Sequence, residues 1–267
     1  MNKILSIVFL FIFCFASSQN KIIKPRLSFT TDSIFANSIV NKVILEGKVL
    51  YGKEREPYNF NNPVFKNLKL LKVYKNLVFQ NKKERELRQW NSSIIIYFDK
   101  KIPKNVIENF ITFYSQLSQV KNLKISFTKK IEKANYYIKS TNEVINSYSE
   151  DYEFKSEDER KTSILTGGTY NINTDENNIL YSGVLTVNMI NKKNSVLLKQ
   201  IKQLFFMSLG SFCISNRLDK NSLLSKKYEK VDYISKKDIS LLKIHYHNIY
   251  DQRIDRVIFN KLIQNSN

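Results

Sequence analysis

The chain carries only two histidines, His245 and His247, and metal or acid–base chemistry would have to begin with them. Two residues apart on a helix, they point about 200° away from each other, so they cannot grip one ion together. Five acids, Glu150, Asp151, Glu157, Asp158 and Glu159, could in principle pair as general acid and base. They fall in a polar stretch that implies no apolar pocket, and a solvated charge run is the simpler reading. Lys199, Gln200 and Gln203 are the prominent polar groups of an otherwise apolar helix, where the plain interpretation is its solvent edge. Cys213 is flanked by Phe212 and Ile214 with neither histidine nearby in sequence, which favours a buried structural thiol over a nucleophile. Gly167-Gly168 lacks the further glycines and the Lys-Ser/Thr of a phosphate loop, and no serine sits in a nucleophile elbow.

The elements that would position these groups are clearest after Asn91. Ser93 to Phe98 is β-branched and aromatic, which predicts a strand. Pro103 opens a helix in which Val106, Ile107, Phe110, Phe113, Tyr114 and Leu117 recur at helical spacing. Leu123, Ile125 and Phe127 alternate as a second strand, and Asn135 to Lys139 reads as a third, giving a right-handed crossover. Ile164 to Ile172 and Ile179 to Met189 read as a hairpin around the Asn-rich turn 173–178, with Gly167, Gly168 and Gly183 marking bulges or a close approach by another chain. Ser195 to Leu209 predicts a central helix whose apolar face holds Leu197, Leu198, Ile201, Leu204, Phe205, Ser208 and Leu209, with Gly210 at its C′ position. A last helix runs from Ser235 to about His247, opened by a capping pair of Ser235 and Asp238. Before Asn91 a helix over Ile34 to Leu45 and a Lys-rich helical stretch from Pro63 to Trp90 are the main signals. The fold class is therefore α+β: a mixed sheet packed on a buried central helix, with a backing helix and a C-terminal helix.

That order of elements resembles the zincin metallopeptidase fold. In zincins the buried helix carries His-Glu-x-x-His, often followed by x-Leu-Gly. Aligning Leu209-Gly210 on that Leu-Gly puts Gln203 and Met207 at the histidine positions and Leu204 at the glutamate. A neutral amide, a thioether and an alkyl chain supply neither a zinc site nor a base, so the resemblance implies a degenerate site with no metal and no cofactor. The chain looks most like a secreted zincin-like family of unknown function. The resemblance to that family rests on Ser222-Leu223-Leu224 and on the Asp-led helix from Asp238 to Tyr246, where His245 replaces an apolar residue. It covers about Asn91 to Asn248.

Residues 1–18 have a basic start, an apolar run from Ile4 to Phe15 and small residues at Ala16-Ser17-Ser18, the pattern of a cleavable signal peptide. The apolar run is shorter than the roughly 20 residues a membrane span needs. The expected organisation is thus a signal peptide (1–18), a lead-in (19–90), a zincin-like domain (91–250) and a tail (251–267), exported to the periplasm, the cell surface or beyond. With Cys14 lost alongside the leader, Cys213 stands alone and no internal disulfide can form. The formal charge of +19 comes mostly from scattered lysine, not from the arginine clusters that read nucleic acid. The expected partner is a peptide or a cell-envelope component, with nucleic acid disfavoured. The competing readings are a hydrolase using non-zinc groups in the same cleft and a basic module for envelope polymers.

Overall fold

A computed structural model describes residues 58–80, 85–143, 145, 167–190, 192–229 and 231–264. The expected leader, the helix over Ile34 to Leu45 and the five loop acids lie outside these residues.

The Lys-rich stretch forms a short helix α1 (Pro63–Lys66) and a longer α2 (Leu68–Phe79). Both begin where an asparagine side chain takes an otherwise orphan amide: Asn62 accepts from Val64 N–H, and Asn67 from Leu70 N–H, each at 3.0 Å. Strand β1 (Gln89–Trp90) is followed by β2 (Ile94–Phe98), then helix α3 (Lys104–Ser115) and β3 (Ile125–Phe127). Next come β4 (Tyr136–Thr141), β5 (Gly168–Thr174) and β6 (Ile179–Asn188). Three helices complete the chain: α4 (Asn194–Ser208), α5 (Lys236–His245) and α6 (Arg256–Gln264).

The strands make one sheet. β3, β2, β4 and β6 lie side by side in that order and run parallel, and the short β1 pairs in parallel with the start of β6. β5 alone runs antiparallel, joined to β6 through the hairpin turn. In that turn one Asp175 carboxylate oxygen accepts from the amides of Asn177 and Ile179, and Asn178 takes the left-handed backbone (φ 63°) that asparagine tolerates. The mixed sheet and its helices match the class expected from sequence.

The core is aromatic where the sheet meets α3 and α4. Phe110 of α3 packs on Phe98, Tyr114 and Phe205 with ring centroids 4.6–5.3 Å apart, and Phe205 also meets Tyr136 of β4 at 5.0 Å. The lead-in and the tail belong to the same core. Phe259 of α6 is fully buried against Tyr74 and Phe79 of α2.

Of the glycines expected to mark a bulge or a close approach by another chain, Gly168 and Gly183 are closely approached by side chains of this same chain. A Cβ on Gly183 would lie 2.6 Å from the ring of Tyr136, its partner across the β4–β6 ladder. That ring passes Gly183 to set its hydroxyl 2.7 Å from Ser208 Oγ on α4. Gly183→Ala should therefore displace the ring and break this strut. The urea midpoint should fall by an amount equivalent to about 1–3 kcal/mol, the usual cost of overpacking a core.

Candidate functional site

Helix α4 presents one face to the core and another to solvent. Leu197, Leu198, Ile201, Phe205 and Phe206 are buried, while Lys199, Gln200, Gln203, Leu204 and Met207 are only partly covered. Leu204, expected on the buried face, sits at its margin because the face is rotated toward Phe206. Lys202 is the unexpected member of the core, at 2% exposure. Its ammonium donates to the Val231 carbonyl at 3.0 Å and lies 3.9 Å from the centre of the Phe113 ring. A hydrophobicity pattern assigns lysine to solvent, so nothing in the sequence marked it.

The three degenerate positions share the partly open face, spaced as i, i+1 and i+4. Gln203 donates its amide to the Ser225 carbonyl at 2.9 Å. Leu204 lies beneath the first residue of β5, with its Cδ1 only 2.7 Å from where a Cβ on Gly168 would stand. Met207 packs against the edge of the core. One turn earlier, Gln200 accepts from Lys192 at 2.8 Å, and Lys199 is 5.9 Å from the centre of the Tyr228 ring. This face offers hydrogen bonding and a soft sulfur, and among these residues it carries no His, Cys, Asp or Glu. Among the described residues no three His, Cys, Asp or Glu side chains gather where they could hold an ion.

The sequence elements that carried the resemblance meet at the end of α4 and behind it. The Tyr246 hydroxyl donates to the Leu209 carbonyl. Asp238, fully buried, accepts from the Ser222 hydroxyl at 2.6 Å and from Leu223 N–H at 2.9 Å. Its own amide donates to Ser235 at the start of α5, which is the capping pair expected there. Burial pushes the Asp238 carboxyl up, opposed by its bonds to Ser222, Leu223 and Ser235.

Gly210 stands at the C′ position expected of it, directly after the Leu209 cap, but it does not make the left-handed turn common at that position. No described glycine has positive φ, and Ser211 (φ 52°) makes that turn. Gly210 is needed because His245 fills the space a side chain would occupy: a Cβ there would stand 2.6 Å from His245 Nε2.

The two histidines also separate spatially. His245 is fully buried; its Nε2 is 2.9 Å from the Arg88 carbonyl and its Nδ1 is 3.0 Å from the Tyr74 hydroxyl. A carbonyl only accepts, so Nε2 bears the proton and Nδ1 takes the bond from Tyr74. His247 lies past the helix with its ring edge-on to Phe65. Neither histidine faces the open side of α4.

A polar cluster that sequence gave no sign of lies at the far end of this face. Tyr170 of β5 reaches Ser211, close to Cys213, Arg85 and Arg88, and burial pushes its phenol up to about 12. Arg85 donates to the Ser211 carbonyl. Cys213, expected to be buried, is half-exposed and accepts from the Gln80 amide. Phe212 turns inward and Ile214 outward, leaving the thiol between them at the wall of a pocket. Arg85 and Arg88 sit in an aperiodic basic stretch, where no pattern distinguishes them from their neighbours.

No protein-family model and no curated protein matches the chain.

Burial pushes His245 down from 6.5 to about 3, against the opposing bond to Arg88. Between those values only the unfolded chain takes up the proton. The stability that neutral His245 confers is thus complete above pH 6.5 and is lost as pH falls toward 3, at up to about 1.4 kcal/mol per pH unit. His247, pushed down by burial and Lys121, acts in the same direction, while the raised Asp238 acts in the opposite one. His245→Gln keeps an acceptor for Tyr74 and a donor for Arg88 and does not titrate. Denaturation midpoints followed from about pH 7.5 down to about 4.5 should fall more steeply for the parent than for this variant.

Proposed function

We propose that this is an exported, non-catalytic relative of the zincin metallopeptidases that binds an extended peptide along β5, above the open face of α4. The observation that carries the reading is the sheet order. Five parallel strands, the short β1 among them, are joined by one antiparallel edge strand, and β6 is followed by a buried helix closed by Leu209-Gly210. This is the element order from which the resemblance was drawn, and the positions where such a peptidase holds zinc and its base carry Gln203, Met207 and Leu204. The cleft chemistry is thereby reduced to recognition.

Peptide suits this site better than a compact ligand. Among the described strands β5 pairs only with β6, so beyond Gly168 its other edge offers amides and carbonyls that an extended chain can meet by strand addition. Gln203, Met207 and Tyr170 then lie where alternate side chains of the bound strand would fall. A peptide component of a cell envelope and a free protein tail both satisfy that geometry. Hydrolysis by non-zinc groups is the weaker reading, because the Gln203 amide is engaged by Ser225 and Lys199 faces Tyr228.

Two measurements on the purified protein test this. It should hold far less than one equivalent of zinc and show no chelator-sensitive peptidase activity; stoichiometric zinc would sink the proposal. Fluorescently labelled random heptapeptides should bind with anisotropy changes that Met207→Lys weakens by about tenfold, equivalent to about 1.4 kcal/mol. Unchanged binding in that variant would move the site elsewhere.

A further inference from the structure

Beside α2 lies a pocket of about 420 Å³ formed by the last turns of that helix and the segment from Cys213 to Leu218. Its volume falls in the range of about 300–1,000 Å³ typical of small-molecule sites. The floor is apolar, built from Val73, Leu77 and Leu218, and the Cys213 amide donates to the Leu77 carbonyl at 2.9 Å to tie the two walls together. The polar wall groups are Asn76, Gln80, Ser215 and Arg217, with no acid among the lining residues.

Two of these are uncommitted. The side chains of Asn76 and Arg217 make no hydrogen bond or ion pair among the described residues. The nearest acid in sequence, Asp219, is engaged by Lys237 at 2.9 Å and does not compete for the guanidinium. Along α2, residues 69, 72, 73, 76 and 80 share a face at 100° per residue, so exposed Lys69 and Lys72 lie on the same side as the pocket wall. Apolar floor, free guanidinium, free amide and surrounding positive charge together select an anionic head on an apolar tail.

We propose that this pocket binds a small amphipathic carboxylate, its head held by Arg217 and Asn76 and its tail laid on Val73, Leu77 and Leu218. A guanidinium presents paired donors that match a carboxylate's two oxygens, and a primary amide supplies a further donor. The site shares Cys213 with the polar cluster at the end of the α4 face, but it does not depend on the peptide reading.

Cys213 lines the pocket and reports on it, since a bound molecule shields the thiol. The probe is octanoate, and the readout is the rate at which iodoacetamide alkylates Cys213 in the full chain, followed by peptide mass spectrometry. At about ten times its dissociation constant octanoate should slow alkylation by about tenfold, the mass-action expectation for one site. Octanol and acetate, each lacking one half of the recognition, should slow it less than about twofold at the same concentration. Arg217→Gln and Asn76→Asp, the second placing a negative charge beside the head at nearly constant shape, should each abolish the protection while leaving the near-ultraviolet dichroism of the fold intact. An unchanged rate with octanoate, equal protection by octanol, or full protection in both variants would overturn the assignment.

Discussion

The backbone at Leu209 and Gly210 is the constraint on which the rest of the structure depends. The Leu209 carbonyl is an orphan acceptor at a helix end buried away from water, and the Tyr246 hydroxyl satisfies it. The next residue has no side chain because the His245 ring needs that volume. Both partners come from one turn of α5, so the end of α4 and the end of α5 are fixed as a unit. The start of α5 is fixed in turn by a buried carboxylate. Asp238 would be costly to bury alone, and the bonds from Ser222 and Leu223 compensate it only while the intervening loop holds its path. The open face of α4 is thus aimed by contacts made on its opposite side.

Tyrosine hydroxyls take over the cross-linking that disulfides perform elsewhere. The chain has only two cysteines, Cys14 and Cys213, so at most one disulfide could form within it. Instead Tyr74 reaches His245, Tyr114 donates to the Lys202 carbonyl at 2.5 Å, Tyr136 meets Ser208 and Tyr246 reaches Leu209. Each buries a large ring and brings a polar end to a main-chain or side-chain partner far away in sequence. The ion pairs between exposed groups, such as Lys104 with Glu108 or Lys220 with Glu229, contribute little by comparison.

The elements read from sequence were those whose signal is local. β2, α3 and α4 follow from β-branched runs and helical spacing, and their observed bounds differ from the expected ones by one or two residues. The Ser235 cap was legible for the same reason, since a capping pair is confined to four residues. What escaped depended on contacts distant in sequence. Gly210 stands at the helix end as its position in the sequence indicates, but the reason no side chain fits there is the His245 ring, which only the fold brings across it. Lys202 was passed over, and Cys213 misassigned, by the same averaging over neighbours. The first is drawn inward by Val231 and Phe113, and the second is lifted to the surface between an inward Phe212 and an outward Ile214. Ser222 and Asp238 were noted as separate features, and their hydrogen bond is visible only in three dimensions.

Helix α6 closes over Tyr74 and Phe79, and Leu87 is tied to the Ile254 carbonyl at 2.8 Å. A polypeptide made or threaded from its N-terminus therefore keeps two large rings uncovered until α6 arrives. Completion of this part of the core waits on a segment nearly two hundred positions beyond the rings it covers. Any truncated product lacking that segment carries an apolar scar on α2, the kind of surface that chaperones and quality-control proteases engage.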